Sequence, residues 1–401
     1  MKVLFITYTG LTENLGRSQI VPYIKSLAQR GVRFSVVSFE PSRIEFEKIQ
    51  SEFAGLGVDL HLFERPRGSV LRRALGTIRL LLKVIALVRT VRYDLIHCRN
   101  FVAAEYAMIC RTVAGTPYLF DMRGFWGDAR VETGLWDSRL LYSIWKSREV
   151  RYVRRAAAVN VLSSPARDWV TQVAGKPNQC VSVIPCCVEF KYTDEFVATH
   201  RARLRRELEI PEDALVVVYA GSLGGIYDDS RLLAVFAAID AARSGARLIL
   251  LGKHVRANVI DLAEGLGIRM GESQLICREV EHERVFEYYA CGDVGTTFMK
   301  PGFYISGVSS TKVNEYLSVG LPFIGNAGIG DLARIATATD AGLALPDDPA
   351  ASDTQAIAEF LDRMATMDRA VIRERARALF DLPVAVDGYA EIYERVSGRT
   401  K

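Results

Sequence analysis

Short apolar, β-branched runs alternate with longer stretches of helical period along the first half of the chain. Val3–Tyr8 is the first such run, and a polar loop, Thr9–Arg17, leads from it into an amphipathic stretch, Ser18–Arg30, that Gly31 stops. Phe34–Phe39, Asp94–Cys98, Tyr118–Phe120, Val159–Leu162 and Val181–Ile184 continue the series. Strands separated by helical stretches predict βαβ units and a parallel sheet. The second half starts the pattern again. Leu215–Ala220 is uninterrupted and apolar, as expected of a strand covered on both faces, and ends in the glycine cluster Gly221-Ser-Leu-Gly-Gly225. Helical period resumes near Ser230, and Arg247–Leu251, Gln274–Cys277, Asp293–Thr297 and Pro322–Gly325 read as further strands. A charged stretch, Glu189–Glu209, lies between the halves, so the domain boundary is expected near residues 188–212. The expected architecture is two α/β, Rossmann-like, doubly wound domains facing a cleft.

Composition narrows the function classes. The 401 residues are 49% hydrophobic and 24% charged, a folded composition long enough for two or three domains. The charge of +4 arises from 51 basic and 47 acidic residues, too even for a general nucleic-acid binder, so any basic function must be local. Seven cysteines without a C-x-x-C pair fit neither a disulfide framework nor a zinc site and point to a reducing cytoplasm. The N-terminus runs directly into a core-like strand, unlike a signal peptide, and no apolar window reaches the ~18 residues of a membrane span. The five histidines are scattered and no D-x-D pair occurs, so no metal is expected.

In open α/β sheets, ligands bind beyond the carboxyl ends of the strands, often on a helix N-terminus. Three loops have that form: Leu15-Gly16-Arg17-Ser18, the cluster Gly221, Gly224 and Gly225, and Gly307–Lys312. Each alone is equally well a turn. In the segment Ser309–Asp331, hydroxyls and Lys312 stand at a helix start and Glu315 follows three residues on. A diphosphate there would meet backbone N–H groups, Ser310, Thr311 and Lys312, with Glu315 accepting from a ribose diol. The plainer alternative is a capped helix with an exposed Lys312–Glu315 pair. In the first half, Phe120–Arg130 packs two acids, two arginines and two aromatics into one loop after a strand. Asp121, Arg123, Trp126 and Asp128 are candidates to hold acceptor or sugar; the alternative is an Asp–Arg bridge that fixes the loop. His97, near a strand end, reads as structural.

Several segments resemble the GT-B glycosyltransferases of family 4, the group 1 type. Val183-Ile-Pro185 is similar to the family's interdomain segment, with Cys186-Cys187 in place of Asn-Gly. Ser309–Pro322 resembles the donor-site segment, Tyr288–Asp293 the passage before it, and Gly10–Gly31 the opening of a subgroup. The resemblance implies retaining, metal-independent transfer from a nucleotide-diphosphate sugar, without a cofactor. It implies an acceptor-side domain over 1–188, a nucleotide-sugar domain over 189–384, and a helix over 385–401 returning to the first. It places Glu315 on the ribose and Lys312 at the diphosphate. Gly307 stands where family members often carry a glutamate that contacts the transferred sugar, and the usual Arg and Lys after the first strand of the second domain are replaced by Ser222 and Tyr227. Lys253 or Lys300 is left to supply charge. The donor-binding set is thus Gly16, Ser222, Gly224, Lys253, Ser310, Thr311, Lys312 and Glu315, and the catalytic set Asp121, Arg123 and Asp128.

One further stretch carries a partner. Between residues 65 and 92, eight basic residues (Arg65, Arg67, Arg72, Arg73, Arg79, Lys83, Arg89, Arg92) interleave with Leu71, Leu75, Ile78, Leu82 and other aliphatics. This reads as a basic amphipathic helix on the inner membrane surface, suited to a lipid-linked acceptor in cell-surface polysaccharide synthesis; the alternative is a core-packed helix with a solvated basic face. The expected enzyme is cytoplasmic and peripheral to the membrane, with no nucleic-acid partner. The rival readings are a nucleotide-sugar epimerase on the same fold and a non-catalytic partner protein. A dehydrogenase is the least favoured reading, since no strand-linked G-x-G-x-x-G with its trailing acid occurs.

Overall fold

Two all-parallel sheets organise the chain in a computed structural model that describes residues 1–42, 44–66, 68–254 and 256–398. Of Val70, Leu71, Arg73 and Ala74 it describes the backbone. The first sheet contains β1 (Lys2–Thr7), β2 (Arg33–Glu40), β3 (Val58–Glu64), β4 (Leu95–Arg99), β5 (Tyr118–Asp121), β6 (Ala158–Val161) and β7 (Val181–Val183). Its spatial order is β3-β2-β1-β4-β5-β6-β7. The second contains β8 (Val216–Ala220), β9 (Arg247–Leu251), β10 (Leu275–Arg278), β11 (Val294–Thr297), β12 (Phe323–Asn326) and β13 (Gly342–Leu345), in the order β10-β9-β8-β11-β12-β13. The second therefore repeats the order of the first six strands of the first, the doubly wound Rossmann-like arrangement expected from the strand–helix alternation. The order reverses between β1 and β4 in one sheet and between β8 and β11 in the other, and a ligand crevice opens at such switch points.

The first compact unit comprises Met1–Gly127, Asp137–Pro185 and the chain from Leu382 onward. The helix Leu382–Ser397 thus belongs to the unit built from the N-terminal sheet, the expected return. It brings two tyrosines into that unit's interior. The hydroxyl of Tyr393 lies 2.6 Å from Nδ1 of His97 on β4, and Nδ2 of Asn160 on β6 donates to the hydroxyl of Tyr389 at 3.3 Å. Both tyrosines are buried, and the Tyr389 ring meets Tyr23 edge-on.

The second unit comprises Asp128–Trp136 and Cys186–Asp381. The arginine-rich stretch after residue 188 forms the helix Asp194–Glu207, which packs on the helix His282–Cys291. Its arginines have a structural partner. Arg201 and Arg205 meet opposite oxygens of Asp293 at 2.6 and 2.7 Å, and Asp293 also accepts from the Val216 amide at 2.8 Å. The carboxylate just before β11 is thereby tied to the start of β8.

Two strands were not read from the pattern. β3 alternates apolar and polar residues and is half-buried at the sheet edge, and β13 is a short edge strand of small and aliphatic residues. Neither forms the continuous apolar run that marks a central parallel strand. Truncating the returning helix at Tyr389→Ala is expected to cost about 3–5 kcal/mol, as large aromatic truncations do. Tyr393→Phe, which removes only the bond to His97, should cost about 1–2 kcal/mol. Urea denaturation of the two variants checks both figures.

Candidate functional site

In the second unit, the candidate residues gather at the carboxyl ends of β8 and β11. Gly221, Gly224 and Gly225 all have positive φ (131°, 78° and 63°), so the chain after β8 takes a path that side-chain-bearing residues resist. The Gly224 amide donates to Asp229 at 2.6 Å, and the Ser222 carbonyl accepts from the Tyr219 hydroxyl at 2.6 Å. Gly221 leaves room for Lys312, whose Cε would lie 2.8 Å from a Cβ at that position. The Lys312 ammonium sits 3.9 Å from the Tyr227 ring centre and 5.2 Å from that of Tyr219. Two aromatic faces therefore hold the cation without neutralising it.

Lys312 is the second residue of the helix Thr311–Ser318. Ser310 occupies its N-cap position but makes no capping hydrogen bond; its hydroxyl lies 3.2 Å from that of Thr297 at the end of β11. The first-turn amides of this helix are thus left uncapped by that side chain, with Lys312 beside them. Such an end favours an anion. One turn on, Glu315 is buried, its Oε2 accepting from the Tyr289 hydroxyl at 3.0 Å and its Oε1 lying 3.3 Å from Nε2 of His282. The exposed Lys312–Glu315 pair is not what forms. The lysine leans on tyrosines, and the glutamate is held by two residues of the preceding helix. The bond to Glu315 raises the pKa of His282 above its ordinary value, against the effect of burial.

Three further candidates come from neighbouring loops. Lys253 is exposed and reaches Glu279 at 3.4 Å. Lys300 is exposed just after β11. Gly307 is buried at the end of the turn Phe303–Gly307, so no carboxylate enters from that position.

In the first unit, Asp121 ends β5 and is fully buried. Its Oδ2 lies 3.1 Å from Arg99 and 3.6 Å from Nε2 of His97, while its Oδ1 accepts from Asn160 at 2.9 Å and from Arg123 at 3.4 Å. Burial works to raise its pKa, but Arg123, His97 and Arg99 outweigh it and push the carboxyl far below the usual range. Both oxygens are engaged, so Asp121 is built as the bridge that fixes the loop after β5 and is poorly suited to take a proton. Phe125 packs against Trp169 and Trp126 against Trp145, with ring centres 5.3 and 4.5 Å apart. Asp128 is buried in the helix Trp126–Glu132 and opens the segment that groups with the second unit.

Gly16 lies buried in the helix Asn14–Gln19, where a Cβ would come within 1.9 Å of the Gly10 carbonyl. Its role there is close backbone packing. The loop around it is held by Glu40, which the pattern did not single out, and by Arg65, which was read with the basic helix. Buried Glu40 accepts from the Leu11 and Thr12 amides at 2.7 and 3.1 Å, and Arg65 donates to the carbonyls of Tyr8 and Phe39 at 2.8 and 2.9 Å. Arg65 therefore pins a loop at the β1 end and lies outside the basic helix, which spans Val70–Thr90. Arg67 is outside the described residues, as is the side chain of Arg73. His282 and Glu40 carried no motif; Tyr289 lay in Tyr288–Asp293, which was read only as the passage before the donor-site segment.

Comparison with known proteins places this geometry in context. Residues 18–187 match the family described as Glycosyl transferase 4-like domain. No curated protein matches the chain. Among solved structures, the Anabaena protein HepE, in complex with UDP and glucose, is 16% identical with a TM-score of 0.72, covering 98% of this chain and 100% of its own. WaaG, a glycosyltransferase involved in lipopolysaccharide biosynthesis, is 17% identical with a TM-score of 0.65, covering 98% and 99%. The sucrose-phosphate synthase of Thermosynechococcus elongatus is 16% identical with a TM-score of 0.69, and the match covers 100% of both chains.

Two measurements probe the two clusters. Asp121→Ala leaves Arg99 and Arg123 without their shared carboxylate and is expected to cost about 3–5 kcal/mol in chemical denaturation. The His282–Glu315 pair has a pH signature. The folded pKa of His282 lies above the unfolded value of 6.5, so its stabilisation is complete below pH 6.5 and is lost as pH rises through the folded value. The wild-type melting temperature should fall across that interval relative to His282→Gln, which lacks the titrating group.

Proposed function

The chain carries a glycosyl transferase 4-like domain on a GT-B fold, and from that footing we propose that it transfers a sugar from a nucleoside-diphosphate sugar to a glycan or lipid-linked acceptor, with retention of configuration and without a metal. The observation that carries this reading is the pairing of Lys312, at an uncapped helix N-terminus, with Glu315 held in place one turn later. Glu315 accepts hydrogen bonds from the ribose diol. Lys312, Ser310, Thr311 and the first-turn amides take the diphosphate, and stabilise the charge that grows on it as the sugar departs. Gly224 and Ser222 allow the backbone after β8 to approach the donor. HepE, which shares the fold, has been solved with UDP-glucose, in support of a nucleotide-sugar donor.

Since the Asp121 carboxylate is engaged on both oxygens, it serves to position Arg123 at the acceptor side. The acceptor proton then passes to a phosphate oxygen of the departing diphosphate, on the same face as the attack. Exclusion of water during transfer favours transfer over hydrolysis.

The acceptor is assigned to a membrane surface. The helix Val70–Thr90 carries five basic residues and no acid, and Leu75, Ile78 and Leu82 lie exposed along it. At 1.5 Å per residue its 21 residues extend about 30 Å. No described helix is long and apolar enough to cross a membrane. A helix of this kind lies in the interface, aliphatics in the acyl boundary and cations at anionic headgroups. The proposed setting is therefore the cytoplasmic face of the inner membrane, in cell-surface polysaccharide synthesis. The description of WaaG, a structural neighbour, names lipopolysaccharide biosynthesis.

Thermal shift with UDP, GDP, ADP and CMP, with and without EDTA, tests the donor site. One nucleoside diphosphate should raise the melting temperature equally in both conditions, and Glu315→Ala and Lys312→Ala should each abolish the rise. No shift with any nucleotide overturns the assignment.

A further inference from the structure

A second surface of the first unit has the same make-up as the helix Val70–Thr90, and sequence reading did not single it out. Three helices of that unit, Val70–Thr90, Asn100–Ala114 and Arg139–Arg155, lie side by side, with Asn100–Ala114 in the middle. The Tyr106 hydroxyl donates to the Thr77 carbonyl on one side at 3.2 Å. On the other, Phe101 meets Trp145 with ring centres 5.6 Å apart, Glu105 meets Arg148 at 2.5 Å, and Arg111 donates to the Arg155 carbonyl. These pairings climb together, so the middle helix and Arg139–Arg155 are parallel but out of step. The latter begins four to five residues earlier, which at 1.5 Å per residue lets its first turn project about 7 Å beyond the start of its neighbour.

That projecting turn is aliphatic and open. Leu140 is 72% exposed, Leu141 44% and Ile144 51%. The rest of the helix is basic. Arg139–Arg155 contains six basic residues and one acid, Glu149, which is buried and paired with Lys146 at 2.7 Å. In a chain whose charges nearly balance overall, the two helices that flank the middle one thus carry an excess of cations and no exposed acid.

We infer that the first turns of Arg139–Arg155 form a second membrane anchor, with Leu140, Leu141 and Ile144 entering the acyl boundary of an anionic bilayer while the flanking arginines stay at the headgroups. Charge selects the occupant. A second copy of this chain on the same face would set arginine against arginine, which an isologous contact cannot avoid. An anionic lipid surface answers both features, aliphatic tip and cationic flank. The crossovers between parallel strands start each of these helices at the carboxyl end of the sheet. Two anchors at that edge therefore bring the rim bearing Asp121 and Arg123 to the bilayer. A single helix leaves the unit free to roll about its axis; two fix its tilt. The inference rests on the proposed lipid-linked acceptor for its purpose but not for the binding it predicts.

The test is co-sedimentation of the full chain with vesicles of phosphatidylethanolamine and phosphatidylglycerol, against vesicles of pure phosphatidylcholine. One variant combines Leu140→Ser, Leu141→Ser and Ile144→Ser; a second combines Leu75→Ser, Ile78→Ser and Leu82→Ser. Wild type should bind the anionic vesicles and not the neutral ones. Each variant should lower partitioning at least about tenfold, with unchanged melting temperature and an unchanged thermal shift with nucleoside diphosphate. Wild-type binding by the first variant, with binding lost in the second, overturns the second anchor. Failure of the wild type to bind either vesicle overturns both anchors. A wild-type dimer that the first variant splits shows that a second copy covers the face, and likewise overturns the inference. Absence of any nucleotide shift in the wild type overturns the glycosyltransferase reading alone, because vesicle binding is scored separately.

Discussion

A parallel sheet delivers the carboxyl ends of all its strands to one rim, because each strand must be reached by a crossover that returns the chain to the starting edge. Everything placed for chemistry in this protein depends on that constraint. In the first unit it brings the loop after β1, Arg99 at the end of β4 and Asp121 at the end of β5 to a common edge. In the second it brings Gly221, Thr297 and the helix start at Ser310 together, although they are far apart in sequence. The same rule aligns the helices over the first sheet, so their starts share that edge.

Buried charge does the local fixing. Asp121 and Glu40 end strands, part-buried Asp293 precedes one, Glu315 sits inside its helix, and each carboxylate is satisfied by several donors. A buried carboxylate is costly unless so satisfied, and removing one partner leaves the rest exposed to that cost. These groups therefore set loop positions more firmly than apolar packing alone. They also divide the candidates into two kinds. Asp121 has spent its oxygens on neighbours, whereas Lys312 rests on aromatic faces that leave its charge available.

The central strands were legible because β1, β2, β4, β5 and β8 are buried along nearly their whole length and are dominated by apolar and β-branched residues, β8 without interruption. β3 and β13 escaped because an edge strand needs no such run. The two doubly wound domains followed from the alternation, and the resemblance to GT-B glycosyltransferases from motif order. Ser310, Thr311, Lys312 and Glu315 could be read as one group because a single helix carries them, so their spacing is their geometry. Their supporting residues could not. His282 and Tyr289 reach Glu315 across a helix–helix contact, Tyr227 reaches Lys312 from another loop, and nothing in local spacing encodes either meeting. Arg65 was misread for a related reason: it precedes a basic helix in sequence, yet its hydrogen bonds run to the ends of β1 and β2. Charge pattern along a chain says nothing of which element a long side chain will serve.

The returning helix Leu382–Ser397 has a consequence for the order in which the molecule is made. Its tyrosines complete hydrogen bonds of His97 and Asn160 and close the core beside Tyr23, so the first unit lacks part of its interior until Leu382–Ser397 has been synthesised. The second unit needs only residues up to Asp381. On the ribosome, the unit whose sheet emerges first is therefore the last to be finished. It must wait, with an apolar face uncovered, through the translation of nearly 200 residues that belong to its neighbour.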